Sequence, residues 1–232
     1  PALRELDVLS RPIALVDAMA FAVSFNVGLA AQPLDWLSLG VAYQHWARMT
    51  FAGSFTLDMN HDLFTSDLSP QGLVYPALVE GDAWLEFPFP PSIRAGATFE
   101  AAEWLTLSLS FNYVFYSMLE AFDVTLSSAG LAQPSLGLGN VVNLSIPRRW
   151  QNAAEVEGLV GVRAVESLWL GLRGGYHSPA SPDETVDVAS PDGHRLVLGV
   201  LADIALASSF SLSLETRWQH VFARVVEASD YD

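Results

Sequence analysis

Near neutral pH, acid–base work or metal ligation would fall first to five histidines: His45, His61, His177, His194 and His220. No two stand four residues apart, so the paired-histidine helix of a catalytic zinc site is absent. His177 and Ser178 are neighbours in sequence. A serine hydrolase needs its Ser, His and orienting carboxylate or amide to converge in space, and adjacency supplies none of that. With no cysteine there is neither a disulfide framework nor a thiolate metal site. Asp58-Met59-Asn60-His61-Asp62 puts oxygens at alternate positions, as a calcium loop does. The sixth position has no glycine, however, and Ser69 stands where the bidentate glutamate belongs. That segment reads as a solvated acidic loop. The chemistry of the residues therefore points away from an enzyme and away from any metal or cofactor.

Composition narrows the field further. The chain has 232 residues, 51% hydrophobic and 16% charged, against about 25% charged in a usual soluble protein. Such hydrophobicity excludes a disordered chain. All eleven cations are Arg, and 26 acidic residues bring the net charge to −15. A nucleic-acid partner needs a basic face, so none is expected. Apolar runs such as 13–16 and 18–23 fall far short of the ~18 residues of a membrane helix. The opening Pro1-Ala2-Leu3-Arg4 is not a signal peptide and lacks an initiator Met. A processed or longer protein is the expectation. Two frameworks remain: a large α/β core, or a β-barrel whose apolar face meets lipid.

The period decides between them. Over residues 37–59, Leu37, Leu39, Val41, Tyr43, Met49, Phe51, Phe55 and Leu57 alternate with Ser38, Gly40, Ala42, Gln44, Arg48, Thr50 and Ser54. That is the two-residue rhythm of a strand, sustained for about twenty residues, where ordinary strands run ~5–6. Seven further stretches repeat it, around 21–29, 93–99, 105–115, 155–163, 168–177, 195–204 and 210–222. A ninth, partial strand is expected to end near Leu9. No amphipathic helix competes, so the fold class is all-β, an antiparallel transmembrane β-barrel of the outer-membrane type with eight to nine strands visible. Residues 1–232 form one barrel domain, incomplete. Short turns alternate with long connections at 60–90, 127–149 and 178–193, which are read as extracellular loops. Asp35-Trp36-Leu37-Ser38-Leu39 and Glu103-Trp104-Leu105-Thr106-Leu107 repeat one turn motif, and Ser167-Leu168-Trp169-Leu170 is a looser copy. Trp36, Trp104, Trp169 and Trp218 are assigned to the membrane girdles.

The residues between the apolar ones then face the lumen. They include Arg94, Arg163, Arg173 and Arg217, with Glu100, Glu155, Glu157, Asp203 and Glu215. Charge on the lipid side would cost about 2–4 kcal/mol near the midplane, which is why this face is taken as the inner one. The charges form either a polar duct or a structural ladder of paired ions across strands. The long loop 60–90 is rich in apolar side chains. Phe64, Leu73, Tyr75, Trp84, Phe87 and Phe89 are read as a ligand-binding groove, with packing across the outer mouth as the alternative.

Strand parity adds one more expectation. With the short turns in the periplasm, both ends of the eight-strand set lie outside the cell, so a strand is missing on each side. Four stretches then carry a family likeness: Phe25-Asn26-Val27-Gly28-Leu29 followed by Gln32 to Gly40; Pro90-Pro91-Ser92-Ile93-Arg94-Ala95-Gly96; Arg149-Trp150-Gln151-Asn152; and Ser178-Pro179, Pro182 to Thr185 and Pro191 to Arg195. They resemble the FadL family of outer-membrane transporters for long-chain fatty acids and other hydrophobic compounds. The resemblance implies a fourteen-stranded barrel in the bacterial outer membrane, with an N-terminal hatch and a final strand that these residues do not supply. It implies passive uptake of hydrophobic small molecules, membrane lipid as surroundings, and no cofactor. The competing reading is a structural barrel that anchors other outer-membrane or periplasmic proteins.

Overall fold

The structure, a computed structural model, describes residues 13–60, 64, 68–186 and 192–226. Leu9 and Ser229 to Asp232 lie outside them. The described residues are strands joined by turns and short 3-10 segments. The strands are β1 (Ile13–Met19), β2 (Asn26–Leu34), β3 (Leu37–Gln44), β4 (Ala47–Asp58), β5 (Leu78–Phe89), β6 (Ser92–Ala102) and β7 (Leu105–Val114). They continue as β8 (Ala121–Ser127), β9 (Val141–Pro147), β10 (Ala153–Val165), β11 (Leu168–His177), β12 (Arg195–Ala207) and β13 (Phe210–Val221). They form two sheets, in two compact units.

The larger unit holds an eight-stranded sheet in the order β13-β12-β11-β10-β7-β6-β3-β2, and every pairing in it is antiparallel. These are the eight strands legible in the sequence. Four hairpins close on two residues each: Asp35-Trp36, Glu103-Trp104, Glu166-Ser167 and Ser208-Ser209. Tight hairpins favour turns with positive φ, normally supplied by Gly or Asn. No residue in these four turns has positive φ. Each hairpin instead carries a register shift beside the turn, at Ala31/Leu34, Glu100/Ala102, Arg163/Val165 and Ala205/Ala207. The shift absorbs the twist that an ordinary turn cannot match. The turns are also tied to one another. Glu100 N–H donates to Trp36 O, Arg163 N–H to Trp104 O and Ala205 N–H to Ser167 O, each at 2.8 Å.

The smaller unit is a five-stranded sheet, β1-β4-β5-β8-β9. Its core gathers Phe55, Met59, Phe64, Val79, Ala83 and Leu126, with Leu57, Tyr75 and Val124 packed against them. Gly81 permits this closeness: a Cβ there would stand 2.2 Å from Ser127 O and 2.8 Å from the Phe55 ring. Residues 37–59, read from sequence as one strand, are two. The break falls at His45-Trp46, and the apolar row changes surroundings across it. Leu39 and Val41 are 43% and 46% exposed, whereas Phe55 is 1% exposed. The segment 60–90 carries β5, and 127–149 carries β9. The described residues of the segment 178–193 include the 3-10 turn Asp183–Thr185. Around 21–29 the strand starts later, at Asn26, and runs on to Leu34.

Candidate functional site

The register of the eight-stranded sheet sorts its side chains into two faces. Phe99, Leu107, Val160, Leu172 and Val200 stand level on neighbouring strands, and all are well exposed. Next to them, with opposite pleat, stand Thr98, Ser108, Leu159, Arg173, Gly199 and Arg217. One face is therefore an apolar sheet left exposed among the described residues of this unit, and the other is largely polar or small.

Glu157 on β10 is the hub of the polar face. Its Oε1 lies 2.9 Å from His177 Nε2 and accepts from Arg217 Nη2, while its Oε2 is 3.9 Å from Arg173 Nη1. Arg173 Nη1 also donates to Glu215 Oε1 at 3.0 Å. Asn112 Nδ2 donates to Glu155 Oε2 at 2.9 Å, and Glu155 Oε1 is 3.6 Å from His177 Nδ1. Arg94 reaches Gln44 Oε1 at 3.4 Å. Gly175 makes room for this network: a Cβ there would stand 2.6 Å from Glu157 Cγ. The carboxylate therefore lies flat across β11. Arg94, Asn112, Glu155, Glu157, His177 and Arg217 line one pocket of about 440 Å³. Glu157 and His177 are largely shielded, while the Arg173–Glu215 pair is the more exposed and of the kind that contributes about 0–1 kcal/mol. Their effect is a wettable wall in which three arginines face three glutamates. No activated nucleophile stands here, and no metal-holding group of three His, Asp or Glu occurs among the described residues. Glu100, Arg163 and Asp203 share the polar face by register, nearer the turns.

Aromatic rings border the apolar face at both ends. At the turn end Trp36 meets Phe99 edge-on at 5.0 Å, and Trp104 is exposed. At the other end His45 stacks on Phe25 at 4.5 Å, and Tyr43 Oη is 3.0 Å from His45 Nδ1. Tyr113 meets Phe115, Tyr176 stacks on His194, and Trp218 stacks on His220. Nine strand steps separate Trp104 from Tyr113, about 30 Å at ~3.3 Å each. Tilted by the ~40° usual for a barrel, they span about 23 Å, close to the ~25 Å apolar band of an outer-membrane barrel. Trp36 and Trp104 stand at the turn end of this face and Trp218 toward the other end. Trp169 does not join them. Register places it level with Arg163 and Asp203 on the polar face, because it alternates with Leu168 and Leu170.

The six aromatic and aliphatic groove residues expected at 60–90 do not gather at one place. Phe64 is buried in the core of the smaller unit, with Tyr75 edge-on at 6.1 Å. Phe87 stacks on Phe122 at 5.2 Å and meets Phe89 at 5.0 Å. Trp84 lies on the opposite face of β5, with Asp82 and Glu86. Leu73 is half-buried, its N–H bonded to Leu68 O. His61 lies outside the described residues.

Sequence reasoning missed Asp192. Its Oδ2 accepts from the N–H groups of Ala180 and Ser181 at 2.6 and 2.9 Å, and its Oδ1 accepts from Gly193 N–H and Arg195 Nη2. Arg224 adds a pair to Asp183 and a bond to Ser181 O at 2.7 Å. Tyr116, in the turn after β7, lines the small pocket beside Asp192 and Arg195. Burial pushes its hydroxyl above the usual tyrosine range. Glu155 and Asp192 add to the shift, and Arg195 opposes it.

This arrangement defines a class: an antiparallel transmembrane β-barrel of the outer-membrane type. The sequence matches the family profile of outer membrane protein transport proteins (OMPP1/FadL/TodX) over residues 10–214, and the chain belongs to that family, in the bacterial outer membrane. Its fold resembles a FadL homologue of Pseudomonas aeruginosa, with 20% identity and a TM-score of 0.66 over 84% of this chain and 43% of that one. It also resembles the CymD monoaromatic hydrocarbon channel, with 13% identity and a TM-score of 0.63 over 89% and 50%. A third similar structure is the toluene transporter TbuX of Ralstonia pickettii, with 16% identity and a TM-score of 0.53 over 91% and 50%. The chain thus spans half or less of these solved chains. Comparison with curated proteins gives no match.

Proposed function

We propose that this chain forms part of the wall of a passive outer-membrane transporter for hydrophobic small molecules. The observation that carries the reading is the two-faced eight-stranded sheet, with belts of aromatic rings at both ends of its apolar side. On this reading the apolar face meets lipid and the polar face lines the lumen. Transport of this kind needs a path and a gradient, and no bond is made or broken. Membership in the transport family supports the reading. Relatives named for toluene and for monoaromatic hydrocarbons favour small apolar cargo alongside fatty acids. The anchoring alternative draws no support from the geometry. The deciding measurement is uptake of radiolabelled toluene and of a labelled long-chain fatty acid by cells displaying the full-length protein. Uptake of either faster than in cells with an empty vector is expected. Equal rates for both compounds would reject transport.

A further inference from the structure

We propose that Trp169, laid flat over Gly161 and Gly171 on the polar face, is a stacking platform for a single aromatic ring of the cargo. The proposal rests on the transport reading above. The ring sits directly on the backbone. A Cβ at Gly161 would stand 2.0 Å from Trp169 Cζ2, and one at Gly171 would stand 2.7 Å from Cη2. Any other residue at 161 would lift the indole off the wall. The same hypothetical Cβ at Gly171 falls 3.2 Å from Leu159 Cδ1, so that side chain flanks the ring. Leu201 stands opposite Gly171 on β12, on the same face.

Leu159, Trp169 and Leu201 thus make an apolar island on an otherwise polar wall. It crosses three strands, about 10 Å at ~4.8 Å per strand spacing. Charges stand at its two edges, Arg173 directly across from Leu159, and Arg163 with Asp203 directly across from Trp169, whose ring leans away from them over Gly161 and Gly171. Those charges hold water, and burying them under hydrocarbon would be costly. The island therefore suits one or two rings. A long alkyl chain would overrun it onto the charged rows. Aromatic cargo gains further from the indole, since offset or edge-on ring pairs add attraction beyond the area they bury.

The test uses the full-length protein in detergent, titrated calorimetrically with bromobenzene and with bromooctane. Trp169→Phe keeps a ring, Trp169→Leu removes it, and Gly161→Ala displaces it. Only variants that keep the heat-dependent gel shift of a folded barrel are compared. Bromobenzene binding about three- to tenfold weaker in Trp169→Leu and Gly161→Ala is expected, the range ring pairing provides. Trp169→Phe should bind it nearly as the natural protein does, and bromooctane should discriminate little. Bromobenzene affinity unchanged in Trp169→Leu, or both ligands weakened alike, would overturn the platform and leave transport standing. Failure of both ligands to bind the natural protein would reject the transport reading with it.

Discussion

Tyr116 shows what a buried group does to its neighbourhood. Its hydroxyl is held above the ordinary range chiefly by burial, with Glu155 and Asp192 adding to the effect. In the unfolded chain the same phenol ionises near pH 10. The folded state keeps its proton longer, so this contribution to stability is complete below about pH 10 and is lost as pH rises through the folded value. Denaturant midpoints of the natural protein and of Tyr116→Phe, measured on either side of pH 10, should diverge only on the alkaline side. There the natural protein falls more steeply. Parallel curves throughout would mean that Tyr116 ionises as freely in the fold as out of it. The same pocket wall holds Asp192, whose two oxygens together take four bonds and fasten the root of the 178–193 connection. A single aspartate among 26 acidic residues carries no sequence signature of that role.

At the scale of strands, the facing assignment makes a sharp contrast between neighbours. Leu107 and Ser108 sit side by side on β7 with opposite pleat. Leu107→Arg would put a charge in the lipid band at about 2–4 kcal/mol, while Ser108→Arg adds one to a wall already carrying arginines. Heat-shift gels of membrane fractions should show folded barrel for Ser108→Arg and much less for Leu107→Arg. Equal damage would undo the assignment. The strands of this sheet were legible because each separates an apolar from a polar environment, which writes a clean alternation into the sequence. β5 was not, because its inward positions include Gly81 and Ala83, too small to mark a face, and Pro88 reads as a turn. β8 and β9 are only seven residues each. The break between β3 and β4 was hidden because the apolar parity continues through His45-Trp46 while its surroundings change. Trp169 was misplaced for a different reason. It shares the turn motif of Trp36 and Trp104, but its own parity sets it with Gly171 and Arg173 on the polar face. The groove residues at 60–90 were identified by type alone, and type does not distinguish a core from a binding surface. Phe64 belongs to the core.

The molecule as a whole divides its hydrophobic residues between two purposes. One set is exposed on the eight-stranded sheet, and another forms the buried cluster of the smaller unit. Phe55→Ala should therefore cost about 3–5 kcal/mol locally by opening a cavity. Limited proteolysis should show faster cleavage within 47–89, with the gel shift of the barrel retained. Loss of both together would make the two units one cooperative body. The tied turns have a consequence for how such a wall is built. In the first three hairpins the second turn residue offers its carbonyl to the next hairpin of the eight-stranded sheet, from Trp36 to Glu100, Trp104 to Arg163 and Ser167 to Ala205. A finished hairpin is thus a mooring for its successor. The staves of the wall are thereby held level, so that neighbouring pairs cannot slide past one another without breaking a backbone bond at the rim.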